Sequence, residues 1–241
     1  MPDFESVLGS IASAPTRRAL WNVVLDYLHS EGVKRVSYHA VDADASTMTI
    51  VTDGFPENWV RAYVRNNFVE IDPIPELAAK LAKPFYWHEI RDLVESTKAR
   101  DAFLAAMDDA GLGDGLAFFV FGPGLQNAYV GLGFDVDRLA LSDHTVFRLQ
   151  CIAQAGHVRF CALNRDRPRE KLSLRETEVL HWVAKGKSNS VIADLLRISP
   201  HTVDAHMRSI YRKLDVTDRT TAAIRGVGAG IVQYPHPAAT G

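Results

Sequence analysis

The sequence predicts an α+β chain: an N-terminal α/β/α sandwich on an antiparallel sheet, then an all-α domain of four helices that carries a helix-turn-helix. Three observations lead there. Hydrophobic periods of 2 and 3.6 alternate along the front of the 241 residues, whereas the rear shows the helical period alone. A polar, proline-containing stretch separates the two parts. Charge is segregated as well: residues 165–225 hold 13 Lys and Arg against 8 Asp and Glu, a net of +5, and the rest holds 14 against 21, a net of −7. The expected organisation is a front domain over 1–163, a linker at 164–171, a helical domain over 172–235 and a tail at 236–241.

In the front part, residues 16–29, 101–110 and 139–162 read as helices and 36–40, 48–52, 115–122 and 128–134 as strands. Gly113-Asp114-Gly115 and Gly122-Pro123-Gly124 are turn signals, the second joining a hairpin. Val146, Leu149, Ile152, Ala153 and Phe160 form an apolar stripe on the long helix before the linker. That stripe fits burial within its own domain or a homodimer contact equally well.

In the rear part, Ser173 and Glu176 form an S-x-x-E capping box that opens a helix holding Leu180, Val183 and Ala184. Gly186 ends it, and Ser188 or Asn189 caps a short second helix with Val191, Ile192, Leu195 and Leu196. After the connector Arg197-Ile198-Ser199, Ser199 as N-cap and Pro200 at the first position start a third helix. At about 100° per residue, Val203, Met207, Ile210 and Leu214 share its core face. His201, Ala205, Arg208 and Arg212 lie opposite. Small Ala205 permits close approach to base edges, and arginines clasp phosphates or grip guanine. Thr202, Asp204 and Ser209 form the rim. Asp204 would repel phosphate, so at an interface it accepts from a cytosine amino group or holds a neighbouring arginine. His206 either packs beside the second helix or meets a phosphate. Lys187 and Lys213 add positive charge to the candidate DNA-binding set. The charge segregation argues against a merely solvated bundle and for a phosphate-binding one.

The chemically pointed stretch of the front domain runs from Phe55 to Trp87 and gathers aromatics around one acid. Trp59 and Tyr63 are four apart and share a helix face, each with a polar handle. Among such rings the Asp72 carboxylate needs donors from backbone, from those handles or from a ligand amide, and Pro73 fixes the turn that aims it. An aromatic core with Asp72 capping the next helix and a ligand pocket are both open on these residues alone.

Other classes find little support. Cys151 and Cys161, ten apart in an apolar periodic stretch, read as buried thiols and not as a bridge or a metal site. No signal peptide or spanning segment appears, so a cytoplasmic chain without membrane association is expected. The nine histidines are scattered, with no H-x-x-x-H or H-x-H, and G-x-S-x-G is absent, so neither enzymatic chemistry nor a cofactor is expected. A phosphorylated response regulator lacks its early paired acids and repeated β/α pattern.

Over residues 172–224, L-S-x-R-E-x-E-V-L, A-x-G-K-S-N, I-A-x-x-L-x-I-S-x-x-T-V, H-M-R-x-I-Y-R-K-L and D-R-T-x-A resemble the LuxR family of bacterial regulators. The resemblance implies that the third helix reads double-stranded DNA and that a fourth, at 219–232, helps pair two domains. Asp204 departs from the basic or amide residue frequent there. In front, W-x-x-x-Y, D-P, P-F-x-W and a glycine before a strand are similar to the acyl-homoserine-lactone-binding domain of quorum-sensing LuxR proteins. By that resemblance Trp59 donates to a lactone carbonyl, Asp72 accepts from the ligand amide, Tyr63 and Trp87 wall the chamber, and Gly115 is the signature glycine.

Two departures bear on the ligand, an N-acyl or N-aroyl homoserine lactone or a related molecule. Phe55 stands where the family often has a tyrosine that holds the acyl carbonyl, and Gly133 where a serine or threonine commonly assists. Losing both donors would weaken an ordinary lactone by about 1–3 kcal/mol unless Tyr38, Tyr86 or Tyr129 replaced them. A bare Gly133 would leave room for a bulkier or aromatic acyl group. The resemblance thus implies a ligand-responsive, homodimeric regulator of a two-fold operator, with RNA polymerase as a further partner. The alternative is a ligand-independent regulator whose front domain only dimerises or binds a protein.

Overall fold

The computed structural model describes residues 3–41, 48–123, 126–165 and 171–232, which divide into two compact units, one formed by 3–41, 48–122 and 127–164 and the other containing 171–232. Most of the expected linker at 164–171 and the whole tail at 236–241 lie outside the described residues, as does Gly124 of the expected hairpin turn.

In the first unit the elements run α1 (Phe4–Ser13), α2 (Arg17–Ser30), β1 (Arg35–Val41), β2 (Met48–Asp53), α3 (Glu57–Arg65), α4 (Pro73–Leu81), β3 (Phe85–Tyr86), α5 (Ile90–Leu93), α6 (Lys98–Asp109), β4 (Gly115–Val120), β5 (Ala128–Gly133) and α7 (Asp143–Arg165). The five strands form one antiparallel sheet in the order β2-β1-β5-β4-β3. Strand pleating assigns alternate residues to its two faces. Val36 and Ala40 of β1, Leu116, Phe118 and Val120 of β4, and Val130 and Leu132 of β5 pack with α1, α2 and α7. On the opposite face Ala117 and Tyr129 pack with α3, α4 and α6 through Trp59, Leu77 and Phe103. These are the three layers of the expected sandwich.

Helix starts follow their caps. Thr16 accepts from Ala19 N at 3.2 Å and Thr97 from Arg100 N at 3.2 Å. The last helix starts later than the periodicity indicates. Leu139 N donates to Asp114 Oδ2 at 2.6 Å, and Ser142 Oγ accepts from Thr145 N at 3.2 Å, so an anchored extended segment precedes the cap. Asp114 is a hub: its buried carboxylate also accepts from His88 N at 3.0 Å and Gly115 N at 2.8 Å, and pairs with His88 Nδ1 at 2.5 Å. The preceding turn needs a glycine. Gly113 has φ +69°, and a Cβ there would stand 2.2 Å from the Phe134 carbonyl oxygen.

The α7 stripe resolves into two faces. Leu149, Ile152 and Ala153 are buried in their own unit. The outward apolar residues are Phe147 at 63% and Val158 at 49% exposure. Cys161 is buried as expected, and Cys151 is only half-buried.

The second unit contains α8 (Leu174–Ala184), α9 (Asn189–Leu196), α10 (Pro200–Leu214) and α11 (Arg219–Gly228). The capping box forms in both directions, with Ser173 N to Glu176 Oε2 at 2.6 Å and Glu176 N to Ser173 Oγ at 3.3 Å. Ser188 and Ser199 cap the next two helices. Val179, Leu180, Ile192, Val203, Met207, Ile210 and Ala222 close a core shared by all four helices.

Candidate functional site

Between the sheet and α3 lies a cavity of about 310 Å³, walled by Phe55, Trp59, Tyr63, Asp72, Trp87, Phe103 and Tyr129 and reached by Ser37 and His39 from β1. Its size lies in the range of small-molecule sites. The helix-period spacing of Trp59 and Tyr63 brings their rings to 6.0 Å, and Phe68 and Phe103 complete a cluster of tilted and edge-to-face rings. Asn67, at φ +50°, makes the sharp turn after α3. That turn returns the chain so that Asp72 faces Tyr63.

Asp72 takes its donors from the backbone and from one of the aromatic handles. Oδ1 caps α4 by accepting from Ile74 N at 2.9 Å, and Oδ2 accepts from the Tyr63 hydroxyl at 2.9 Å. Burial raises its pKa to about 6, against the opposing Ile74 and Tyr63 donors. Burial and the adjacent Asp72 charge push the Tyr63 phenol upward, so it stays a donor. Burial likewise pushes up Tyr129, reinforced by Asp72 and Tyr63 and countered by the nearby Trp87 indole. Trp87 Nε1 is buried without a hydrogen-bond partner among the described residues. The cavity wall thus presents an acceptor carboxylate and, beside the Tyr129 hydroxyl, a buried indole donor.

The two glycines do not line the cavity themselves; they seat Trp87. A Cβ on Gly115 would come within 2.5 Å of the indole, and one on Gly133 within 3.0 Å. The space above Gly133 is therefore filled by Trp87 and offers no extra room for an acyl group. At Gly131 the Tyr129 hydroxyl occupies the corresponding space, 2.2 Å from where a Cβ would be.

Of the three tyrosines considered as replacement donors, only Tyr129 reaches the cavity. Tyr38 is corrected to the other sheet face, where its hydroxyl meets His157 Nδ1 at 2.7 Å and it lines a separate cavity with Trp21 and Phe160. The cause is strand alternation: Ser37 and His39, either side of it in sequence, take the cavity face. Tyr86 points away from the cavity, accepting from Leu141 N at 3.3 Å. Sequence reasoning misses Ser37, His39 and the Asp114 hub because polar residues alternating in a strand or punctuating a turn read as solvent-facing.

On the second unit, His201, Ala205, Arg208 and Arg212 are all exposed on one face of α10, away from buried Val203, Met207 and Ile210. Lys187 is exposed on the turn before α9, and His206 is half-buried. Ser199 and Thr202 are engaged with each other at the helix start, their hydroxyls 2.8 Å apart. Among the described residues Asp204 holds no arginine directly. Its Oδ1 accepts from Asn189 Nδ2 at 2.6 Å, and Asn189 Oδ1 accepts from Arg219 at 2.7 Å. Lys213 turns away from the exposed face and donates to Glu176 at 2.9 Å, with its side chain 18% exposed. It is removed from the DNA-facing set, since its charge is neutralised within the unit. Burial works against the Glu176 carboxylate, but Lys213, Ser209 and Ser173 outweigh it and bring its pKa down to about 2.

Residues 16–160 match the family described as autoinducer binding domain, and residues 170–225 match bacterial regulatory proteins, luxR family. The chain belongs to the LuxR-type family of quorum-sensing transcriptional regulators. This LuxR-type regulator is 30% identical over 186 residues to the transcriptional activator protein AhyR of Aeromonas hydrophila, covering 73% of this chain and 71% of AhyR. It is 30% identical over 185 residues to the quorum sensing-dependent regulator RpaR of Rhodopseudomonas palustris, covering 76% and 75%. The fold of the LuxR-type regulator matches the crystal structure of Escherichia coli SdiA with a TM-score of 0.78 at 22% identity, over 96% of this chain and 98% of SdiA. SdiA in complex with octanoyl-rac-glycerol matches with a TM-score of 0.77 at 20% identity, over 98% and 100%. The family is one of transcriptional regulators and not of enzymes. Among the described residues no helix is long and apolar enough to cross a membrane.

Proposed function

We propose that this LuxR-type regulator senses an N-acyl or N-aroyl homoserine lactone, or a related amide, in the cavity beneath α3. The carrying observation is the Asp72 carboxylate, fixed by Tyr63 and Ile74 N, in one cavity wall with the buried Trp87 indole and with Trp59. Asp72 accepts from the ligand amide, Trp59 donates to the lactone carbonyl, and Trp87 donates to a second ligand oxygen. The acyl part lies against Phe55, Phe103 and Met107. Filling the cavity stabilises whichever arrangement of the chain the ligand prefers.

A homodimer forms through the outward face of α7 around Phe147 and Val158, and two α10 helices enter successive major grooves of a two-fold operator. His201, Ala205 and Arg208 meet base edges while Arg212 and Lys187 hold phosphates. Bound there, the dimer is placed to contact RNA polymerase.

The test is the melting temperature of the full chain with acyl and aroyl homoserine lactones and with octanoyl glycerol. The lactones should raise it in the wild type and not in Asp72→Ala. No shift with any lactone, beside intact DNA binding, overturns the sensor reading in favour of a ligand-independent regulator.

A further inference from the structure

The cavity has a second polar group that the lactone assignment leaves unused. Ser37 and His39 project from the same face of β1, 8% and 7% exposed, and both reach the cavity. Ser37 Oγ and His39 Nε2 are 2.8 Å apart, and the imidazole packs edge-on against Tyr129 with centroids 5.1 Å apart. Ser37 is the one hydrogen-bond partner of that imidazole among the described residues, and both side chains line the cavity, so the second ring nitrogen and the remaining capacity of the hydroxyl are left for a ligand there. Burial lowers the His39 pKa to about 4, so the ring is neutral at physiological pH.

A neutral pair of this kind has a definite complement. If Ser37 donates to Nε2, the pair offers the cavity an Nδ1–H donor and a hydroxyl lone pair. If Nε2–H donates to Ser37, it offers the hydroxyl proton and the Nδ1 lone pair. Either way one donor and one acceptor are presented together. A methylene leaves both unsatisfied, a carbonyl satisfies the donor alone, and a hydroxyl satisfies both. Unmatched buried polar groups are what make such a site discriminate.

We propose that Ser37 and His39 form a specificity subsite that selects a signal whose acyl part carries a hydroxyl group. The inference rests on the lactone reading above, with Asp72 taking the amide and the β1 pair taking the hydroxyl.

Calorimetric titration of the full chain tests it, with N-octanoyl-homoserine lactone and its 3-oxo, 3-hydroxy and 8-hydroxy forms as probes. At least one hydroxylated form should bind wild type about tenfold tighter than the plain lactone. That ratio should fall to about one in Ser37→Ala and His39→Leu, and His39→Gln, which keeps a donor and an acceptor, should retain part of it. Because the ratio is taken within each variant, a general loss of stability does not imitate the result. Equal or weaker binding of both hydroxylated forms by wild type, or a ratio unchanged by His39→Leu, overturns the subsite while plain-lactone binding leaves the sensor reading standing. Failure of all four to bind overturns the subsite, and joined to the absence of any melting shift with the acyl and aroyl lactones it overturns the sensor reading as well.

Discussion

The Tyr63 hydroxyl donates to Asp72 across 2.9 Å while the other carboxylate oxygen caps α4, so a single acid both joins two helices and faces the cavity. Burial sets its pKa at about 6, above the ordinary carboxylate value near 4. Between those values the folded chain binds the proton more readily than the unfolded chain does. The Asp72 contribution therefore makes the free protein more stable as pH falls from about 6 to about 4, and less stable as pH rises through that window. Melting temperatures of wild type and Asp72→Asn across this range should diverge in that direction, and a constant difference would contradict the assignment.

Trp87 lies directly on two bare backbone positions. Gly115→Ala would place a methyl 2.5 Å from the indole and 2.7 Å from the Leu132 carbonyl oxygen, a clash that costs about 1–3 kcal/mol. Gly133→Ser should be milder, because its nearest neighbour stands at 3.0 Å. Urea denaturation followed by tryptophan emission gives the order, and Gly133→Ser proving the more damaging would show that Trp87 sits elsewhere.

Arg208 and Lys213 separate reading from support. Arg208→Ala should weaken operator binding and relax its sequence preference, whereas Arg212→Ala should weaken binding to all sequences alike and flatten its salt dependence by about one unit of slope. Lys213→Ala should leave the slope alone and instead destabilise the second unit by about 1–3 kcal/mol, since Glu176 loses its charged partner. Fluorescence anisotropy at several salt concentrations, beside hydrogen exchange of α8 amides, distinguishes the two outcomes. A reduced slope for Lys213→Ala with unchanged exchange would restore it to the DNA-facing set.

Phe147→Glu places a charge on the exposed face of α7 without touching buried Leu149 or Ile152. Sedimentation should show the dimer dissociating at concentrations where wild type remains paired, with the melting temperature of each unit nearly unchanged. A dimer as tight as wild type would move the interface to another surface.

Local features of the chain are legible in its sequence. Ser173, Ser188 and Ser199 mark three helix starts because capping is a short-range bond, and Val203, Met207 and Ile210 declare the inward side of α10 by spacing alone. Asp72 and its aromatic surroundings are equally visible. Whatever depends on partners distant in sequence is not. The V-S-Y-H-A run of β1 alternates, but only the sheet decides which phase faces the cavity, so the run by itself neither excludes Tyr38 nor singles out Ser37 and His39. The basic side chain of Lys213 looks like that of Arg212 until Glu176, 37 residues away, claims it. The outward stripe of α7 is hidden for a similar reason, because a long helix with apolar residues on two sides has no inherent exterior.

The Arg219, Asn189 and Asp204 chain of hydrogen bonds fastens α11, α9 and α10 together at one end of the helix-turn-helix. Its members are separate from His201, Ala205 and Arg208, the side chains proposed to read bases. Evolution can therefore exchange the vocabulary of α10 without altering its grip angle. On the proposed reading, new operators are reached by changing those side chains one at a time while α10 keeps its setting between α9 and α11.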